Sequence, residues 1–305
     1  MNRQELKGSW LGLAGVAIFA LTLPMTRLAV GTPQAPQMSG VFVAVGRAVV
    51  AAVLSAAFLL ATRAPMPRRA HWLPLAITAA GVVLGFPLLA SVAMRQVEAV
   101  HASVIIGVLP LATAAVGAWL ARQRPSAGFW WCAAIGSALV VGYAVLRSGG
   151  LSIHAADALL VAAVACAAVG YGWGARLSQH MPAEHVICWA LIMTLPLTVP
   201  AALLTRPEAS LQAPAWWGFG YLAVFSMWIG FFAWYRGLAM GGTVRVSQVQ
   251  LVQPFLSMLF AVPLLGESLD ALTLGFALAV IAVVFVGKRM PVRTGPDAKP
   301  TGRTP

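Results

Sequence analysis

Between Val246 and Glu267 the chain reads VSQVQLVQPFLSMLFAVPLLGE, a run apolar enough to enter a bilayer that nevertheless carries three glutamines and a proline in its first half. On a helix turning 100° per residue, Ser247, Gln250, Gln253 and Ser257 share a stripe roughly 120° wide, while Gln248 points almost the opposite way. The side-chain amides of Gln250 and Gln253 can donate to a carboxylate or accept from an ammonium. Pro254 has no amide hydrogen, so an α-helix here leaves the Gln250 carbonyl without its usual partner on the same stripe. The chemistry this permits is reversible binding of a small polar head group. The competing reading is an interhelical hydrogen bond that only holds a bundle together, the better reading for Gln248. Either way, a helix over Thr243 to Leu264 puts Pro254 at mid-membrane depth, where polar groups are costly and need a reason.

The same break occurs 144 positions earlier. That constant offset pairs Ser247 with Ser103, Val252 with Val108, Pro254 with Pro110 and Leu264 with Leu120, and sets Ala261 against the small Gly117. Pro110 and Pro254 are therefore expected to kink equivalent helices in two halves of one design. The equivalents of Gln250 and Gln253 are Ile106 and Leu109. A site between the halves would be polar on one wall and apolar on the other, which suits an amphipathic ligand and suits a phosphate poorly.

Further candidates are weaker. Arg47 falls inside an apolar run with no buried acid to pair with, and is either a carboxylate anchor or a structural arginine that bonds carbonyls or snorkels. Trp228, Phe86 and Tyr171, with Phe19, Trp173, Phe231 and Trp234, are placed to stack on a ring or to pack between helices. His101 is either a pH-sensitive gate or a solvated end residue. Cys132, Cys166 and Cys188 lie in apolar runs without metal-ligand spacing, so no metal and no cofactor is expected. No nucleotide-binding, metalloprotease or serine-triad motif is visible, which argues against an enzyme.

The composition explains what must position these residues. Of 305 residues 60% are hydrophobic and only 9% charged, with mean hydropathy +0.85. A soluble domain carries about a quarter charged residues, so the chain reads as membrane protein with little soluble mass. Ten apolar runs appear, about 8–29, 38–61, 71–94, 99–120, 128–146, 155–177, 185–204, 213–237, 243–264 and 269–287, each long enough to span the hydrocarbon. The fold class expected is an all-α polytopic membrane protein, with a first five-helix repeat at 8–146, a second at 155–287 and a disordered tail at 288–305.

Orientation follows from the loops. With the N-terminus inside, the inner segments hold Arg3, Lys7, Arg63, Arg68, Arg69, Arg122, Arg124, Arg176, Arg236, Arg245, Lys288, Arg289, Arg293, Lys299 and Arg303. The outer segments hold only Arg95, Arg147 and Arg206. That bias puts both termini in the cytoplasm and accounts for the net charge of +12 without nucleic acid. An odd number of helices per half makes the second half enter from the opposite side, an inverted repeat of the kind used for alternating access.

Several of these residues together resemble a known family. They are the Gly170-Tyr171-Gly172-Trp173-Gly174 turn near the end of the sixth run, Arg47 in the second, and the proline helix ending in Leu265-Gly266-Glu267. The chain resembles the EamA-type branch of the drug/metabolite transporter superfamily over about residues 8 to 288, most of all the aromatic amino-acid exporters of the YddG type. It departs from the pattern with Arg122-Gln123 where the second half has Gly266-Glu267, and with Pro24-Met25 where a Trp-Gly is expected. The resemblance implies a bacterial inner-membrane secondary transporter that exports hydrophobic amino acids. Ser247, Ser257, Gln250, Gln253, Trp228, Phe86, Tyr171, Ile106 and Arg47 are then the expected substrate-binding residues. The missing deep carboxylate points to facilitated rather than proton-coupled movement. The alternative is a broader exporter of drugs or lipophilic cations. Expected partners are an amino-acid substrate and the bilayer, while oligomeric state is left open, a monomer being sufficient.

Overall fold

The computed structural model describes residues 3–31, 35–93, 105–148, 156–207, 211–265 and 271–294, and is helical almost throughout. Helix is what an apolar chain must form in lipid, because backbone polar groups find no water there and bond within the segment. Helices α1 (Arg3–Ala20) and α2 (Thr22–Val30) form a rod broken at Leu21, followed by α3 (Gly40–Ala61). A second rod joins α4 (Arg69–Thr78), a π-helical segment (Ala79–Gly85) and α5 (Phe86–Ala93). Then come α6 (Leu109–Leu120), α7 (Ala127–Ser148), α8 (Ala156–Leu177) and α9 (Ala183–Leu204). A third rod joins α10 (Ala213–Tyr221), a π-helical segment (Leu222–Ile229) and α11 (Gly230–Gly241). The stretch with the glutamines divides into α12 (Thr243–Val246), a 3-10 segment (Ser247–Val252) and α13 (Gln253–Leu265), before α14 (Ala271–Arg289).

Six of the described helical stretches are long and apolar enough to cross a membrane, namely Arg3–Val30, Gly40–Ala61, Arg69–Ala90, Ala156–Leu177, Ala183–Leu204 and Ala213–Gly241. Shorter apolar helices cover Leu109–Leu120, Ala127–Tyr143 and Ala271–Gly287. Trp10, Trp119, Trp131 and Trp217 are exposed at helix ends, as membrane-interface tryptophans are. This is a polytopic helical membrane protein. In lipid the apolar effect does not drive one helix onto another, so packing depends on close approach and polar contacts.

That close approach is visible where α1 lies along α11. A Cβ placed on Gly237 would meet the Gly12 backbone nitrogen at 2.6 Å and the Gly8 carbonyl at 2.8 Å. Glycine is the residue that lets these two backbones touch. The contact has a counterpart, since α8 packs along α4, α5 and the π segment between them. Likewise α6 packs on α8, and the 3-10 segment and α13 pack on α1. The contacts α3 with α9, α7 with α14, and α6 with α12 and the 3-10 segment complete the set.

The local geometry repeats at the offset read from the prolines. In the π segment before α5 the Phe86 N–H donates to the Gly81 carbonyl, and in the one before α11 the Gly230 N–H donates to the Phe225 carbonyl. Both donors and both acceptors are 144 residues apart (230 − 86 and 225 − 81). Leu109 and Gln253, 144 apart, each begin a helix whose second residue is the proline. Pro110 and Pro254 thus start helices instead of kinking them from within, a position where a missing amide hydrogen costs nothing. Ser103, the equivalent of Ser247, lies outside the described residues, as do His101, Gly266 and Glu267.

Three expectations are corrected. The Gln250 carbonyl is not free, because the chain tightens into a 3-10 helix and the Gln253 N–H donates to it. Residues Gly170 to Gly174 make no turn but continue α8 without interruption, their glycines admitting Val82, Val116 and Tyr235. The segment expected to be disordered from residue 288 starts ordered. Helix α14 runs to Arg289, and strand β2 (Val292–Thr294) pairs antiparallel with β1 (Gln123–Pro125), Arg293 opposite Arg124. Residues 295–305 lie outside the described set.

Candidate functional site

A cavity of about 150 Å³ lies where the two sets of helices meet. That is on the order of the engineered cavity that admits a benzene ring. Its walls include residues paired by the 144 offset: Val82 with Ser226, Pro87 with Phe231, Ile106 with Gln250, Gly107 with Leu251, Leu109 with Gln253, and Pro110 with Pro254. Equivalent positions of the earlier and later halves thus line one cavity. In the three pairs that differ in polarity, the polar member always belongs to the later half: Ser226 against Val82, Gln250 against Ile106, Gln253 against Leu109.

The breaks in the helices expose these side chains. A π segment widens its turn and a 3-10 segment narrows it, so each interrupts the regular packing face of its helix. Val82, Ser226 and Met227 come from the two π segments, Phe86 and Phe231 from the turns just after them, and Gln250 and Leu251 from the 3-10 segment. Gln253, Pro254 and Ser257 follow on the first turns of α13.

Pro24 likewise deprives the Ala20 carbonyl of its i+4 amide, and the Ser257 hydroxyl donates to that carbonyl. Thr22 Oγ1 and Ser226 Oγ are 2.9 Å apart and hydrogen-bonded. Tyr171 lies beside the Gln250 side chain and within electrostatic range of the Arg47 guanidinium. The two hydroxyl contacts satisfy Ser257, Thr22 and Ser226.

Other groups are left over. Among the described residues, Arg47 Nε, Gln250 Oε1 and Gln253 Oε1 are buried and make no hydrogen bond within the protein. Arg47 is 8% exposed and stands seven residues into α3, about 10 Å from its start at 1.5 Å per residue. Among the described residues no carboxylate lines the cavity. Arg236 pairs with Glu184 at 3.2 Å and Arg245 with Glu5, none of them in the cavity lining. Among the described residues no group of three or more metal-ligating side chains gathers.

The aromatic floor is a connected cluster. Phe19 and Phe231 have ring centroids 5.2 Å apart, Tyr171 and Phe231 6.2 Å, and Tyr171 and Trp234 5.5 Å in an edge-on arrangement. Phe19, Tyr171 and Phe231 reach the cavity, while Trp234 is fully buried behind them. Phe86 lines the cavity on the other half.

Of the eleven residues singled out from the sequence, Arg47, Phe86, Ile106, Pro110, Tyr171, Gln250, Gln253, Pro254 and Ser257 line this cavity. Ser247 does not. It is fully buried and its hydroxyl donates to the Val244 carbonyl at 3.1 Å, one 3-10 turn below Gln250. Its angular position matched the stripe but its depth did not. Trp228 also lies outside, its Nε1 donating to Cys188 Sγ at 3.3 Å and its ring packed edge-on against Phe58 and Phe232. Depth along the helix favoured Trp228, but it is the neighbouring Met227 that faces inward. Gln248 bonds the Pro110 carbonyl at 3.4 Å and so ties the two broken helices together. Thr22, Ser226 and Met227 carried no signal in the sequence beyond ordinary apolar-run polarity, since residues 81–93 and 225–237 share no residue type at the 144 offset.

Comparison with known proteins agrees with this architecture. A solved crystal structure superposes with TM-score 0.74, covering 92% of this chain and 98% of its own, at 17% identity, a likeness of fold alone. An uncharacterized transporter of Bacillus subtilis (strain 168), YdeK, is 40% identical over 283 residues, 92% of this chain and 96% of its own length. The EamA-like transporter family matches twice, over residues 6–145 and 154–287. The chain belongs to the EamA-like transporter family.

Proposed function

We propose that this transporter is a secondary carrier exporting small amphipathic metabolites, aromatic and other hydrophobic amino acids foremost, from the cytoplasm across a bacterial inner membrane. The observation that carries the reading is the cavity lined by both halves, with hydrogen-bonding groups at three positions of the later half and apolar groups at the equivalent positions of the earlier one. In this account ten spans form two oppositely inserted five-helix repeats, 8–146 and 155–287, with both termini in the cytoplasm. The matching π and proline breaks at the 144 offset support it. Symmetry-related halves that enclose one site can expose it to either side by rocking against each other.

Movement follows the substrate gradient, since among the residues lining the site no Asp or Glu is available as a proton relay. The same composition weighs against lipophilic cations. Arg47 would repel them, and no acid is present in the lining to offset them. Counterflow into proteoliposomes, screened with the twenty amino acids with and without an imposed pH gradient, tests the reading. Saturable exchange of hydrophobic amino acids, weakened by Gln250→Ala or Gln253→Ala, is expected. Exchange of quaternary amines only, or an absolute need for the pH gradient, would contradict it.

A further inference from the structure

The cavity leaves three buried polar atoms unbonded within the protein: one cationic donor, Arg47 Nε, and two acceptors, Gln250 Oε1 and Gln253 Oε1. A buried donor or acceptor without a partner is costly, and more so when the group is charged. The three atoms specify their complement. A guanidinium is matched by a carboxylate, whose two oxygens accept from its planar fork. Two amide oxygens are matched by a group that only donates, and an ammonium brings three N–H bonds. The geometry points to a zwitterionic α-amino acid head group, its carboxylate held by Arg47 and its ammonium by the side-chain oxygens of Gln250 and Gln253. This assignment rests on the reading of the cavity as the transport site.

Tyr171 lines the same cavity as Gln250 and Arg47 and lies in electrostatic range of the guanidinium. The glutamine amide nitrogens are donors and suit a carboxylate as well. The glutamine atoms buried without a partner are both amide oxygens, however, so the unmet capacity on the glutamines is acceptor capacity. With the head group fixed there, the substrate side chain points at Val82, Ile106 and Leu109, the apolar partners of Ser226, Gln250 and Gln253. A second carboxylate on the ligand would face those residues with no partner, so acidic amino acids are rejected. An amine without a carboxylate would leave Arg47 unmatched beside a like charge.

The test is competition against labelled tryptophan counterflow in proteoliposomes, using tryptophan, tryptophan amide and indole-3-propionate. The amide lacks the carboxylate and the propionate lacks the ammonium. The wild type is expected to prefer tryptophan over either analogue by roughly tenfold or more, the worth of a hydrogen bond to a charged group. Arg47→Gln should erase the preference over the amide and keep the preference over the propionate, with Arg47→Lys restoring part of the former. Gln250→Leu with Gln253→Leu should do the reverse, which keeps the ammonium arm testable if the arginine variants do not fold. Equal competition by all three compounds in the wild type overturns the assignment and leaves transport through the cavity standing. So does a preference over the amide that survives Arg47→Gln. A wild type that exchanges no amino acid overturns both.

Discussion

Replacing Arg47 by methionine should make the substrate-free protein more stable and make tryptophan less able to stabilise it. The side chain is 8% exposed, and among the described residues its Nε finds no hydrogen bond and no carboxylate lines the cavity it faces. Insertion scales put an arginine at mid-helix depth about 2.5–3.5 kcal/mol above neutral. Exchanging buried ions for apolar groups of similar volume stabilises proteins by roughly 1–4 kcal/mol in favourable cases. A gain of about 1–3 kcal/mol in unfolding free energy is therefore expected for Arg47→Met.

The ligand effect runs the other way. A ligand at a hundred times its dissociation constant stabilises the folded state by about 2.7 kcal/mol. A tenfold weaker affinity at the same concentration leaves RT ln 11, about 1.4 kcal/mol. Thermal unfolding of the purified protein in detergent, with and without tryptophan, reads both quantities. A methionine variant less stable than the wild type by about 3–5 kcal/mol would mean that the guanidinium is a structural tie whose partner is lost. That result would refute the reasoning applied to Arg47.

Other consequences separate packing from binding. Gly237→Ala places a methyl group 2.6 Å from the Gly12 backbone nitrogen, with no side chain able to yield, and should cost about 1–3 kcal/mol. Gly220→Ala, with nothing within 4 Å of the added carbon, should instead gain about 0.5–1 kcal/mol in the same unfolding assay. Arg122 ends α6 in the left-handed region at φ 49°, where glycine is favoured, and Arg122→Gly should stabilise by about 1 kcal/mol. Gln248→Leu removes the bond to the Pro110 carbonyl and should lower stability by about 0.5–1.5 kcal/mol while leaving the half-saturation for tryptophan unchanged. A changed half-saturation there would place Gln248 in the site.

How far the sequence carries can be judged at individual residues. Apolar runs located the described helices, because in lipid a long apolar stretch has no alternative to helix. The proline pair located the cavity, because matching breaks in two halves mark where regular packing stops. Helical periodicity then placed Gln250, Gln253 and Ser257 on the inner face, but it assumed 100° per residue. The chain instead runs as a 3-10 helix from Ser247 to Val252, which closes the Gln250 carbonyl and leaves Ser247 a turn too deep. Trp228 failed for a related reason, since it stands in a π segment whose wider turn periodicity cannot anticipate. The π segments are the half of the symmetry that residue identity hides. Their hydrogen bonds repeat at 144 residues with a single residue type in common at that offset, Ala79 with Ala223. Backbone geometry there is set by packing, and packing is not written in any single residue.

The central claim, that the cavity between the two halves is the path of the substrate, has a direct test at Ile106, the apolar equivalent of Gln250 in the earlier half. Cys132, Cys166 and Cys188 would be replaced, a single cysteine placed at 106, and a membrane-impermeant thiol reagent applied to oriented vesicles from each side in turn. The account predicts labelling from both faces, slowed by excess tryptophan from either. Labelling from one face only, or at a rate that tryptophan does not change, would contradict it.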